Sequence, residues 1–391
     1  MNTMTTKQLD DAYVAHTYNR FPIEIVSGRG SLLYDETGRE YIDLGTGIAV
    51  NIFGMADDEW IAAVTAQLGK FQHTSNLYYS APCANLAAML CEATGMKRVF
   101  FANSGAEANE CAIKAARKHG EDTKGPDCCN IITLRNSFHG RTLATLAATG
   151  QDVFHEKFTP VTPGFLYADT TDPASLEALV RDNEVAAIMF EAVQGEGGVL
   201  PLPDDFVAEM KRVAKKYDLL LIADEVQLGN GRSGALYGYM NLGLEPDIVT
   251  TAKGIGGGLP LGVCMLGERV QDVFGPGDHG STFGGNPVAC AGAVNILSRL
   301  TDDVLAGVRE RSKMIFDGLT GAPGIKSVTG MGLMIGVETE KPAADIVAAC
   351  RENGVLVLTA KAKLRLLPAL NIPLEQLEKA LEVIRQACRT E

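Results

Sequence analysis

Residues 247–262 read DIVTTAKGIGGGLPLG: a β-branched run, one lysine, then four glycines within five positions. A nucleotide-binding phosphate loop carries its lysine after the glycines and follows it with Ser or Thr. Here Lys253 comes first. The dinucleotide fingerprint fails as well, because Leu259 stands where its third glycine or an alanine is required. The lysine therefore closes a strand, and the strand sets the architecture to look for.

From residue 85 to about 265, short β-branched runs alternate with helical patterns. KRVFFANS (97–104), CNIITLRNSF (129–138), AAIMFEAV (186–193), LLLIADEV (219–226) and PDIVTTAK (246–253) read as buried strands. AEANECAIKAARKHG (106–120) and DFVAEMKRVAKKYD (205–218) read as helices between them. The alternation predicts an α/β fold with a mostly parallel sheet covered on both faces, and ligands beyond the carboxyl ends of its strands. After residue 288 one long amphipathic helix, then strands and helices, predict a smaller α+β domain. Its last helix carries Leu374, Leu377, Leu381, Ile384 and Cys388 on one stripe. A hairpin around Thr37-Gly38 packs with it. The expected division is residues 1–50 with the small domain, 51–287 as the large domain and 288–391 as the small one.

The 391 residues are enough for two cores. A net charge of −13 without a basic block argues against nucleic acid or an anionic membrane as partner. No apolar run reaches the roughly 18 residues of a membrane span. The nine cysteines include no C-x-x-C pair, and Cys83, Cys91, Cys111, Cys290 and Cys350 lie in apolar helical surroundings. That usage predicts reduced core thiols and a cytoplasmic protein.

Two strand ends carry the chemistry. Asp224 closes LLLIAD, where a buried carboxylate needs a cation or hydrogen bonds, and Lys253 closes DIVTTAK, where burial lowers a lysine's pKa. A cap or core ion pair is the plain alternative for the first, a snorkelling surface lysine for the second. Together they suit pyridoxal phosphate, which needs a lysine to hold it covalently and a carboxylate at its ring nitrogen. The glycines after Lys253 would then let a ring approach the backbone. Ser104-Gly105-Ala106-Glu107 fits an S-x-x-E capping box at a helix start, a ready phosphate site. Phe138 can stack on the ring, and Arg141 and Arg365 can bind substrate carboxylates. Core packing remains the alternative for Phe138, a structural role for either arginine.

The sequence resembles the class III (subgroup II) pyridoxal-phosphate aminotransferases, of transferase fold type I. FFANSGAEANECAIKAARK, SFHGRTLATLAATG, EAVQGEGGV, IADEVQLGNGRSG, TTAKGIGGGLPLG and GSTFGGNPVACAGA carry the resemblance, in order, through nearly the whole chain. It implies that Lys253 holds pyridoxal 5'-phosphate and shuttles the proton, that Asp224 faces the ring nitrogen, and that Val226 packs opposite Phe138. Gln227 would reach the ring hydroxyl, and Ser104, Gly105 and Ala106 the phosphate. Thr282 would reach that phosphate from the neighbouring subunit of a homodimer. Arg141 would hold the distal carboxylate of both substrates, Ser281 would touch the donor, and Arg365 would bind 2-oxoglutarate but pair with Glu196 when the donor is present. The implied donor is N2-acetyl-L-ornithine, with succinylornithine, succinyldiaminopimelate, ornithine or 4-aminobutyrate as alternatives. Ala192 and Ala369 replace usual prolines, and NIFGMADDEW replaces a GHCHP segment near the substrate entrance. GTGIAVN lacks the tyrosine that ornithine-specific members carry, which favours the N-acetylated donor over free ornithine.

Overall fold

The computed structural model describes residues 4–389. Its central sheet has seven strands in the order Arg98–Ala102, Gly262–Leu266, Ile248–Thr251, Leu220–Asp224, Val185–Phe190, Asn130–Leu134, Phe165–Ala168. Gly262–Leu266 runs antiparallel to both neighbours, and the remaining pairs are parallel. Strands sealed on both faces must be apolar throughout, and Val185–Phe190 and Leu220–Asp224 are buried along their whole length. Helix Gly105–Lys124 covers one face with Ala108, Cys111, Ala112 and Ala115. Two strands escape the sequence pattern. Phe165–Ala168 spans only four residues at the sheet edge, and Gly262–Leu266 starts inside the glycine-proline stretch. Gly262 has its own purpose, since a Cβ there would lie 2.1 Å from the carbonyl oxygen of Ser104. Its absence lets the strand run against the start of the covering helix.

The predicted long helix after residue 288 is two helices, Pro287–Ser298 and Asp302–Leu319. Thr301 accepts from the Val304 N–H, and Asp302 and Asp303 favour the new N-terminus, so the TDD tripeptide restarts the helix in another direction. The first helix gives Ala289, Cys290, Ala293 and Leu297 to the core around the central sheet, while its Ile296 joins a second core.

That second core lies under an antiparallel sheet ordered Ile325–Met331, Met334–Thr339, Lys363–Leu366, Leu358–Ala360. The last helix, Leu374–Cys388, buries Leu377, Leu381, Ile384 and Cys388 as its stripe predicts, whereas Leu374 in its first turn is 39% exposed. The strands before residue 50 form a meander whose Glu40–Asp43 pairs in parallel with Val355–Leu356. All nine cysteines are free thiols.

Four consecutive residues after this meander, Thr46, Gly47, Ile48 and Ala49, have φ of 48, 66, 63 and 63°. A left-handed turn costs about 1–2 kcal/mol at each residue with a Cβ. It persists because Asp43 accepts from the N–H groups of Gly45 and Thr46 and the Thr46 hydroxyl donates to Leu367 O. The turn delivers Val50 to the main cleft.

Candidate active site

The parallel register sets Asp224 beside Thr250, so Lys253 lies three residues further along the adjoining chain segment. Both face a cleft of about 610 Å³ at the carboxyl ends of the strands, lined also by Ser104, Gly105, Ala106, Phe138, Arg141, Val226 and Gln227. Nine of the thirteen residues singled out from sequence therefore meet in one place.

Asp224 is buried, and both of its oxygens are engaged. Its Oδ2 accepts from Asn109 Nδ2 and is paired with His139 Nδ1, each at 2.8 Å, and its Oδ1 accepts from the Val226 N–H at 3.0 Å. Asn109 in turn accepts from the Thr250 hydroxyl at 2.7 Å, which ties the carboxylate to the neighbouring strand. His139 Nε2 is buried with no partner among the described residues. Lys253 adopts φ of 47°, an uncommon value for a residue with a side chain, and desolvation lowers its pKa below that of an ordinary lysine. The charge of Arg365 acts in the same sense, and Glu196 and Asp224 oppose it.

The helix start is built as a cap. Ser104 accepts from the Glu107 N–H at 3.2 Å, but the Glu107 carboxylate reaches the Asn103 N–H at 2.9 Å instead of closing the box on Ser104's own N–H. A Cβ on Gly105 would sit 2.6 Å from Val226 Cγ1, so this glycine admits the Val226 side chain to the cleft. The glycines after Lys253 behave differently from expectation. A Cβ on Gly254 would meet Ile52, one on Gly256 the Leu259 carbonyl, and one on Gly257 the Trp60 indole, at 2.7, 2.1 and 2.6 Å. They make room for protein, not for a ring, and of the four only Gly258 lines the cleft.

Glu196 and Arg365 do not line the cleft themselves but meet at its Gln227, where Arg365 Nη1 reaches Glu196 Oε1 at 2.5 Å and Gln227 Oε1 at 3.1 Å. Burial raises the pKa of Glu196, but the attraction of Arg365 outweighs it and keeps the carboxyl below its ordinary value. Arg141 is exposed, its guanidinium 5.8 Å from the Phe138 ring and 4.8 Å from Phe154. Ser281 and Thr282 do not line this cleft. Ser281 Oγ accepts from Gly284 N and Asn103 Nδ2 within its own chain, and Thr282 is exposed beside Phe283.

Asn109, His139 and Glu191 are site residues that the sequence reading passed over. Glu191 is 6% exposed and lines the cleft; burial pushes its carboxyl up to about 7. Its signal was present, an apolar strand closing on an acid as at Asp224.

A family profile described as Aminotransferase class-III matches residues 13–388. An acetylornithine aminotransferase of Haemophilus ducreyi is 47% identical over 388 residues, 99% of each chain. The N-acetylornithine aminotransferase structure from Stenotrophomonas maltophilia superposes with a TM-score of 0.83 at 36% identity, covering 97% of each chain. The ornithine aminotransferase from Toxoplasma gondii reaches 0.94 at 32% identity, covering 99% of this chain and 96% of that one.

Proposed function

This chain belongs to the class III aminotransferases, a pyridoxal-phosphate-dependent family, and we propose that it moves the δ-amino group of N2-acetyl-L-ornithine to 2-oxoglutarate. The products are N-acetyl-L-glutamate 5-semialdehyde and L-glutamate. The observation that carries this reading is the Arg365–Glu196 pair, joined to the cleft through Gln227, with Arg141 as a second cation in the cleft lining.

The cleft suits the cofactor. The Gly105–Lys124 helix start offers N–H groups to a phosphate, Val226 and Phe138 provide flanks for a flat ring, and Asp224 provides a fixed anion for a protonated ring nitrogen. Bound there, pyridoxal phosphate supplies an electron sink for the carbon bearing the amine. The protein does the rest. Lys253, its pKa lowered by burial, takes the proton from the donor's δ-carbon and returns one to the acceptor. Arg141 grips the carboxylate far from the reacting carbon in both substrates. Glu196 neutralises Arg365 while the donor, which has no carboxylate at that end, is bound. When 2-oxoglutarate enters, its second carboxylate takes Glu196's place on Arg365.

The chain acts as a homodimer in this reading. Leu77, Tyr78 and Tyr79 are 85, 71 and 107% exposed, and Phe283 beside Thr282 is 59% exposed. A second copy seated there buries this apolar surface and brings Thr282 to the neighbouring phosphate site. A donor panel with 2-oxoglutarate tests the assignment: acetylornithine is expected to give the highest kcat/KM, and a higher value for ornithine or 4-aminobutyrate would reassign the donor.

A further inference from the structure

Glu191 follows strand Val185–Phe190 much as Asp224 closes Leu220–Asp224, yet the transamination steps leave it without a task. It has no ion-pair partner among the described residues. Each oxygen instead accepts one backbone N–H: Oε1 from Phe138 at 2.8 Å, Oε2 from Gly195 at 3.2 Å. The two N–H groups belong to different substrate-facing segments. Phe138 opens the segment that carries Arg141, and Gly195 immediately precedes Glu196, the partner of Arg365. The segments also touch directly, since a Cβ on Gly197 would lie 2.3 Å from Asn136 O. On the far side a Cβ on Gly195 would lie 2.5 Å from Gln227 Oε1, so the Gly195 backbone has little room to shift that way.

We propose that Glu191 is a positioning residue that holds the Arg141 segment in register with the Arg365–Glu196 pair, and thereby sets the preference for dicarboxylate over monocarboxylate acceptors. The proposal rests on the transaminase reading above. Two cations grip a five-carbon diacid only when their spacing matches it, whereas a monoacid needs one cation and is indifferent to their register. A glutamine at position 191 has one acceptor oxygen in place of two, so it can hold one segment but presents N–H to N–H at the other.

The matched control is Glu225. It is equally buried and also accepts two backbone N–H groups, from Gly238 and Tyr239 at 2.8 Å each, but neither belongs to a substrate-facing segment. Wild type, Glu191→Gln and Glu225→Gln holoenzymes are titrated calorimetrically with glutarate and with butyrate, and half-reaction kcat/KM is measured for 2-oxoglutarate and pyruvate. Glu191→Gln is expected to weaken glutarate by about tenfold while butyrate stays within about twofold, with a matching loss of 2-oxoglutarate over pyruvate selectivity. Glu225→Gln is expected to keep both ratios. Should Glu191→Gln not fold, Glu191→Asp, whose shorter stem cannot span both segments, carries the same expectation. An unchanged glutarate-to-butyrate ratio in the Glu191 variant, or an equal loss in the Glu225 variant, overturns the proposal. A wild-type protein inactive with 2-oxoglutarate overturns the transaminase reading beneath it.

Discussion

The carboxylate in the cleft and the guanidinium joined to it through Gln227 are built on opposite plans. Around Asp224 both carboxylate oxygens are engaged, by Asn109, His139 and the Val226 N–H, and the partners are themselves tied to a strand and a helix. Around Arg365 a single terminal nitrogen makes the contacts to Glu196 and Gln227, and Arg365 Nε is buried without a partner among the described residues. A carboxylate held by three hydrogen bonds stays in place, because moving it orphans several buried atoms. An ion pair held at one nitrogen has a smaller cost of opening, and a dicarboxylate that offers two oxygens in return can replace it. In the proposed transamination the first is a fixed pole and the second a gate.

The sharpest way to break this contrast is to remove each anion and follow the two half-reactions separately. Asp224→Ala is expected to slow both by at least about 100-fold, since the fixed pole serves every step. Equal retention of either half-reaction in stopped-flow traces would contradict the fixed-pole assignment. Glu196→Ala is expected to act on one side only. With Arg365 left unpaired, the donor half-reaction falls by about tenfold while 2-oxoglutarate binds at least as tightly as in wild type, because no internal carboxylate competes for the guanidinium. A symmetric loss would mean that Glu196 is structural.

The same contrast explains what was legible in the sequence. Strand ends, the helix cap and the two arginines announce themselves through chemistry against an apolar background, and Asp224, Lys253 and Ser104 stand where that background predicts. The supports of the fixed pole do not. Asn109 is a polar residue on the buried side of the Gly105–Lys124 helix, between Ala108 and Cys111 and Ala112, and only its partner Asp224, 115 residues away, gives it meaning. Glu191 carries the same strand-end signature as Asp224, but its two N–H partners come from segments whose approach is a property of the folded chain. The glycines after Lys253 mislead for a related reason. Their need for space is real, but the atoms that fill it, on Ile52, Trp60 and Leu259, are set by packing that periodicity does not reveal.

Glu225, the residue after Asp224, offers the smallest and most specific test, of what a second buried carboxyl costs in stability. Its carboxyl lies next to Asp224 and away from the gate. Burial pushes it from an ordinary 4.5 up to about 8, against the two N–H groups of Gly238 and Tyr239 and with the charges of Asp224 and Glu191 adding to the rise. The folded state therefore binds a proton here that the unfolded chain has released across the interval between those two values. The stability this contributes is fully present below about 4.5 and is lost as pH rises through about 8. A glutamine does not titrate, so its cost is independent of pH. The difference in unfolding free energy between wild type and Glu225→Gln is expected to drift in favour of the variant with rising pH, at up to about 1.4 kcal/mol per unit within that interval. Urea denaturation of both proteins at pH 6, 7 and 8 measures it. A difference that stays flat would place a charged Glu225 in the fold at neutral pH.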